Sequence, residues 1–274
     1  MNKIKVLILV LLCVVNLSYG EDWNSDAALN RVNSIGKNLL LSNNITHPIE
    51  FKVSDNEDIN AYANLEKEIY VYKGLLQYVE DDTELAAVIS HEIGHILNGH
   101  CAKQGVLNTG IAAVASQMTQ KVNQTTVAVA QQLAVTKISR SDEFEADLTG
   151  VDLMTKAGYN PLAMISVLNK ICGNYIDILQ THPSGEKRLL NIYNYVAYNN
   201  PNQIKQGFDS DSYQKSLLLI NKSIEKRNKS VKLQKKFEKE QKKLLVKKAK
   251  RVQKMQKNST IWDGYFATLQ LMAQ

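Results

Sequence analysis

Residues 91–95 read His91-Glu92-Ile93-Gly94-His95. No other stretch constrains the fold so tightly, because its meaning depends on the backbone being helical there. On an α-helix His91 and His95 share one face, one turn above the other. Two imidazoles so placed can hold one zinc ion, with Glu92 beside them as a general base for a metal-activated water. A hydrolytic zinc site uses three protein ligands and keeps one position open, so a third ligand must come from elsewhere.

Two regions offer one. The pattern H-E-x-x-H-x-x-G-x-x-H would need Gly at position 98 and His at position 101. The chain has Asn98 and Cys101 there, with Gly99 and His100 each displaced by one. If the helix continues, His100 points roughly 140° away from His95, off the metal face. The other region is Ser139-Arg140-Ser141-Asp142-Glu143-Phe144-Glu145-Ala146-Asp147. Glu143 and Asp147 are four residues apart on one helical face. Glu143 can therefore reach a metal while Asp147 accepts a hydrogen bond from the far nitrogen of a ligating histidine. Glu145, roughly 200° round the helix, faces away. Most Glu-x-x-x-Asp pairs are only solvated helix faces, and the pentapeptide is what favours Glu143 as a ligand.

The rest of the chain sets the context. Lys3 and Lys5 precede an apolar run from Val6 to Val15, and Ser18-Tyr19-Gly20 supplies small residues for cleavage. Residues 1–20 thus read as a secretory signal peptide, with an apolar run too short to span a bilayer. The expected location is outside the cytoplasm, in the periplasm first of all. No transmembrane span is expected in the mature chain, and export disfavours nucleic acid as a partner. Cys101 and Cys172 could pair there or stay as thiols. Charge divides the chain near residue 203. Residues 21–203 carry 13 Lys/Arg against 21 Asp/Glu, and residues 204–258 carry 18 against 5. The expected domains are a leader at 1–20, a catalytic domain at 21–203 and a Lys-rich helical extension at 204–274.

Periodicity predicts a helix over Asp22 to Leu41, strands at 49–53 and 68–72, and a helix from Asp81–Thr83 to Asn98-Gly99. Further helices are expected after Ser141, from Pro161 to Ile171 and from Gly185 to Tyr198. In the extension Leu217, Ile220, Ile224 and Val231 begin a heptad, but Arg227, Gln234 and Glu238 break it, so a coiled coil is not expected without a partner. A Lys-rich helix of this kind is either simply solvated or docks on an anionic envelope surface.

Several of these segments together resemble the HtpX- and BepA-type zinc metalloendopeptidases, the family of the CAAX prenyl endopeptidase and the mitochondrial Oma protease. They are Asn60-Ala61-Tyr62-Ala63, the strand and turn at 69–76, Glu84 to His95, the S-R-x-x-E-x-E-A-D element at 139–147, and Thr181-His182-Pro183 with Arg188. The resemblance covers about residues 28–198. It implies an α+β fold, a mainly helical zincin-type (gluzincin) metalloprotease domain with a small β-sheet, followed by the charged helical tail. It also implies one Zn2+ held by His91, His95 and Glu143, with Glu92 as base. His182 would lie near the cleft to stabilise an oxyanion or visit the metal, and Arg188 would order that segment. The substrate would be a protein or peptide, its extended segment adding to the Glu68–Tyr72 strand if that strand is a sheet edge. The competing reading is a zinc-holding chaperone or scaffold with little turnover. Residues 64–68 lack the family's Pro/Gly-containing turn, so the hairpin there is expected to differ.

Overall fold

The computed structural model describes residues 24–118, 139–174 and 185–272. The leader at 1–20 and His182 lie outside the described residues, as does the side chain of Cys172. The fold is mainly helical with one small sheet, as expected for the α+β class.

Helix α1 (Ser25–Ser42) starts where the Asn24 side chain accepts the Ala27 N–H at 2.9 Å, and it buries Val32, Ile35 and Leu39 along one stripe. The sheet holds β1 (Glu50–Ser54), β2 (Ala61–Ala63) and β3 (Glu68–Tyr72) in the order β1-β3-β2. β3 runs parallel to β1, with Phe51 opposite Ile69, and antiparallel to β2, with Ala61 opposite Val71.

This order corrects one expectation. β3 has a strand on each side and no open edge, so a substrate segment cannot add to it. The edge is β2. Tyr72 N–H donates to Asn60 O at 3.1 Å and Asn64 N–H to Glu68 O at 3.0 Å. Antiparallel alternation then turns the peptide groups of Ala61 and Ala63 outward. The Ala63 carbonyl accepts a weak bond from Cys101 Sγ at 3.5 Å. In the hairpin Lys67 adopts a positive φ of 64°, and its ammonium donates to Asn258 O at 3.0 Å.

After the short helix α2 (Lys73–Tyr78) comes the central helix α3 (Asp82–Asn98). The Asp81 carboxylate caps it by accepting the Glu84 N–H at 2.8 Å. Every residue from Glu84 to Asn98 is buried, as befits a helix covered on all sides. Glu84 can be buried because Ser166, Lys170 and the Glu80 N–H all bond to its carboxylate, at 2.8, 2.8 and 2.9 Å. Helix α3 ends at Gly99, whose φ of 74° is the left-handed conformation that glycine adopts at no steric cost. The chain turns there into α4 (His100–Met118).

Helix α5 (Arg140–Lys156) opens with a capping box in which Ser139 Oγ accepts the Asp142 N–H and the Asp142 carboxylate accepts the Ser139 N–H. It crosses α3 at very short range. A Cβ at Gly94 would lie 2.7 Å from Ala146 O, so the glycine inside the pentapeptide is what lets the two helices touch backbone to backbone. Helices α6 (Ala163–Asn174) and α7 (Glu186–Asn199) complete the layer around α3 and α5.

The basic tail begins beyond α8 (Pro201–Gln206) and forms α9 (Asp211–Asn228), α10 (Val231–Met255) and α11 (Ile261–Met272). It lies against the preceding helices. Tyr213, Ser216 and Ile220 of α9 are buried. In α10 the buried and half-buried positions are Gln234, Phe237, Gln241, Leu244, Lys248, Arg251 and Met255, an unbroken three-four repeat in a frame that hydrophobicity does not reveal. Its anchor is Asp152 of α5, which Lys248 and Arg251 approach at 2.9 and 3.0 Å. Among the described residues no helix is long and apolar enough to cross a membrane.

Candidate metal centre

His91 and His95 face α5 from one side of α3, and Glu143 meets them from the first turn of α5. The Nε2 atoms of the two histidines are 3.0 Å apart. Glu143 Oε1 lies 3.2 Å from His95 Nε2, and its Oε2 lies 3.4 Å from His91 Nε2. Zinc–ligand bonds of about 2.0–2.2 Å in a tetrahedron place neighbouring donors about 3.3–3.5 Å apart, so the triangle has the size that such an ion requires. All three side chains are buried, and among the described residues this is the one His/Cys/Asp/Glu group compact enough to hold a metal. Chemistry and spacing therefore fit the expected group.

The surroundings explain how three lone-pair donors can converge in a buried position. Asp147 Oδ1 is 3.0 Å from His91 Nδ1. A carboxylate accepts only, so the proton sits on Nδ1 and Nε2 is left to face the cluster. Arg188 of α7 donates to Asp147 through Nε at 2.8 Å and Nη2 at 2.6 Å, and its Nη1 lies 2.7 Å from Glu143 Oε2. Burial pushes the Asp147 carboxyl up, but Arg188 and His91 outweigh it and hold it below its ordinary value. For His91 burial disfavours the imidazolium, yet the Asp147 and Glu143 carboxylates raise it to about 10. A metal ion binding here takes the place of a proton.

Glu92, next along α3, is 2% exposed and lines a mainly apolar pocket with His91, Ala61, Val88, Met164 and Leu168. Ala61 of β2 therefore borders the same cavity as His91. Cys101 is a thiol outside the cluster. Burial, with the Glu92 charge adding to it, pushes its pKa up to about 12. Asp147 and Arg188 thus sit directly behind the ligands, and Arg188 grips Glu143 and Asp147 rather than solvent.

One residue lies nearer the cluster than a continuing helix would have placed it. Because α3 ends at Gly99, His100 does not continue its helix. Its ring swings back so that Nδ1 lies 3.0 Å from His95 Nδ1. The signal was present in Gly99, a helix terminator directly before a histidine.

Comparison with known proteins gives metalloproteases as relatives. Across 194 residues the chain is 27% identical to the beta-barrel assembly-enhancing protease of Yersinia pestis, covering 64% of this chain and 39% of that protein. It is 32% identical over 179 residues to the mitochondrial metalloendopeptidase OMA1 of Arabidopsis thaliana, covering 64% and 34%. It is 31% identical over 164 residues to the metalloprotease LoiP of Escherichia coli (strain K12), covering 56% and 65%. The match thus spans about two fifths of the length of the first of these relatives. The family model described as Peptidase family M48 matches residues 27–196, which include all three candidate ligands, and the chain belongs to that family.

Proposed function

We propose that the protein is a zinc-dependent endopeptidase in which His91, His95 and Glu143 hold one Zn2+ and Glu92 is the general base. The observation that carries this reading is the buried His-His-Glu triangle beside a pocket that Glu92 also lines. When bound, the ion supplies Lewis acidity to a water and to the scissile carbonyl. Glu92 takes the proton from the attacking water and returns it to the leaving nitrogen. Asp147 holds the ring of His91 in its ligating orientation, and Arg188 holds Asp147 and Glu143 in turn. His182 takes the oxyanion-stabilising role that the family resemblance implies.

The substrate segment would lie along β2 in an extended conformation, using the outward peptide groups of Ala61. An apolar side chain would enter the pocket between Val88, Met164 and Leu168. Exported, misfolded or envelope proteins are the proposed substrates, in keeping with the leader and with the name of the Yersinia relative. Residues 21–203 would form the protease domain and 204–274 its extension. The Lys-rich outer face of α10 would rest on an anionic envelope surface. Sedimentation with anionic vesicles that weakens as salt rises supports that contact; salt-independent or absent binding removes it.

The decisive experiment for catalysis is Glu92→Gln. It should leave zinc stoichiometry at one per chain and abolish casein cleavage. Cleavage at the wild-type rate would remove Glu92 from the mechanism, and zinc retention without cleavage by the wild type would favour the chaperone reading.

A further inference from the structure

The two histidine ligands are supported differently, and His100 is the difference. His95 Nδ1 and His100 Nδ1 are 3.0 Å apart, with ring planes inclined at 72°. Two imidazole nitrogens at that distance need one proton between them. With Nε2 of His95 facing His91 and Glu143, the proton belongs on its Nδ1 and is donated to His100. The remaining proton of His100 is then on Nε2. That atom is buried without a hydrogen-bond partner within reach, but it faces Glu145 Oε2 at 3.6 Å and Asp142 Oδ1 at 3.8 Å. His100 itself is 4% exposed.

We propose that His100 is the positioning residue for His95: by accepting the His95 Nδ1–H it fixes the tautomer and ring angle of the second zinc ligand, as Asp147 does for the first. The proposal rests on the metal reading above. The rest of the fold holds His100 in place. Its ring reaches back because Gly99 is left-handed, and the tail packs on that turn so closely that a Cβ at Gly99 would lie 2.7 Å from Thr260 Oγ1. Lys103 Nζ fixes the Asp142 carboxylate at 2.9 and 3.0 Å. Glu145, which the sequence turned away from the metal, thus faces the partner of a ligand rather than a ligand.

Two polar variants separate positioning from packing. In His100→Asn the amide oxygen can stand where Nδ1 stands and accept from His95. In His100→Gln the amide reaches instead toward the Nε2 position and the carboxylates. The full chain would be stripped with a chelator and titrated with zinc against a chromophoric competitor, and with Co2+ to read the d–d band. His100→Gln should bind zinc about 10–100-fold more weakly and shift the Co2+ band, with His100→Asn close to wild type in both. Equal losses in the two variants, with equal drops in melting temperature, would reduce His100 to a packing residue. Wild-type affinity in His100→Gln would overturn the proposal outright. Failure of the wild type itself to bind zinc would instead refute the metal reading, which the same titration reports separately.

Discussion

Helix α5 carries two buried aspartates five residues apart, and each meets α7. Asp147 takes Nε–H and Nη2–H of Arg188 and the Nδ1 of His91. Asp152 takes the Tyr195 hydroxyl at 2.9 Å, Arg251 at 3.0 Å and Lys248 at 2.9 Å. In the second cluster both Asp152 oxygens meet donors on α7 and α10, with Arg251 Nε alone lacking a hydrogen-bond partner among the described residues, and the cluster fastens the tail to the body. The first is built from the same kinds of groups yet leaves three lone-pair atoms converging within hydrogen-bond range of one another. Buried polar groups are ordinarily satisfied in pairs. Three buried ligand-type atoms converging on one point mark a candidate metal site, and an ion network shared by three helices marks a joint.

That contrast can be broken at either end. The largest effect is expected at the joint. Arg251→Met leaves Asp152 short of a buried partner, and stability should fall by about 3 kcal/mol or more, read as a lower denaturation midpoint. Zinc affinity of the folded variant should stay within about a factor of two of wild type, because the two clusters are separate. A parallel loss of zinc affinity would mean that joint and site are one unit. At the other end, Glu143→Ala should weaken zinc binding by more than about 100-fold and Asp147→Asn by about 10–100-fold, the order expected of a ligand and its supporting partner. Isothermal titration would reverse the assignment of roles if Asp147→Asn proved the worse of the two.

The sequence was most readable where chemistry and periodicity coincide. His91 and His95, and again Glu143 and Asp147, stand four apart on helices, so their shared faces could be counted off, although the second helix starts at the Ser139 cap, two residues before the expected Ser141. It was least readable where one backbone angle redirects a side chain. Gly99 at φ 74° ends the helix where the sequence suggested, but the direction of the turn that follows, which brings His100 to His95, is not written in residue spacing. The three-residue strand Ala61–Ala63 carries too little pattern to announce itself, and its edge position depends on the parallel pairing of β1 with β3. The tail failed for another reason. Its inward repeat includes Gln234, Gln241, Lys248 and Arg251, which look like solvated positions until Asp152 is seen beneath two of them.

The backbone contact between Gly94 and Ala146 has a consequence for which ion the protein can select. Because no side chain separates the helices, the distance from the two imidazoles to Glu143 is set by main-chain atoms in van der Waals contact, which yield far less than side chains do. The spacing of the proposed metal triangle therefore depends on how closely the two backbones approach at Gly94. With the ligand set proposed above, it would suit a small tetrahedral cation, and a larger one such as calcium, with its longer bonds to oxygen, would have to force the helices apart.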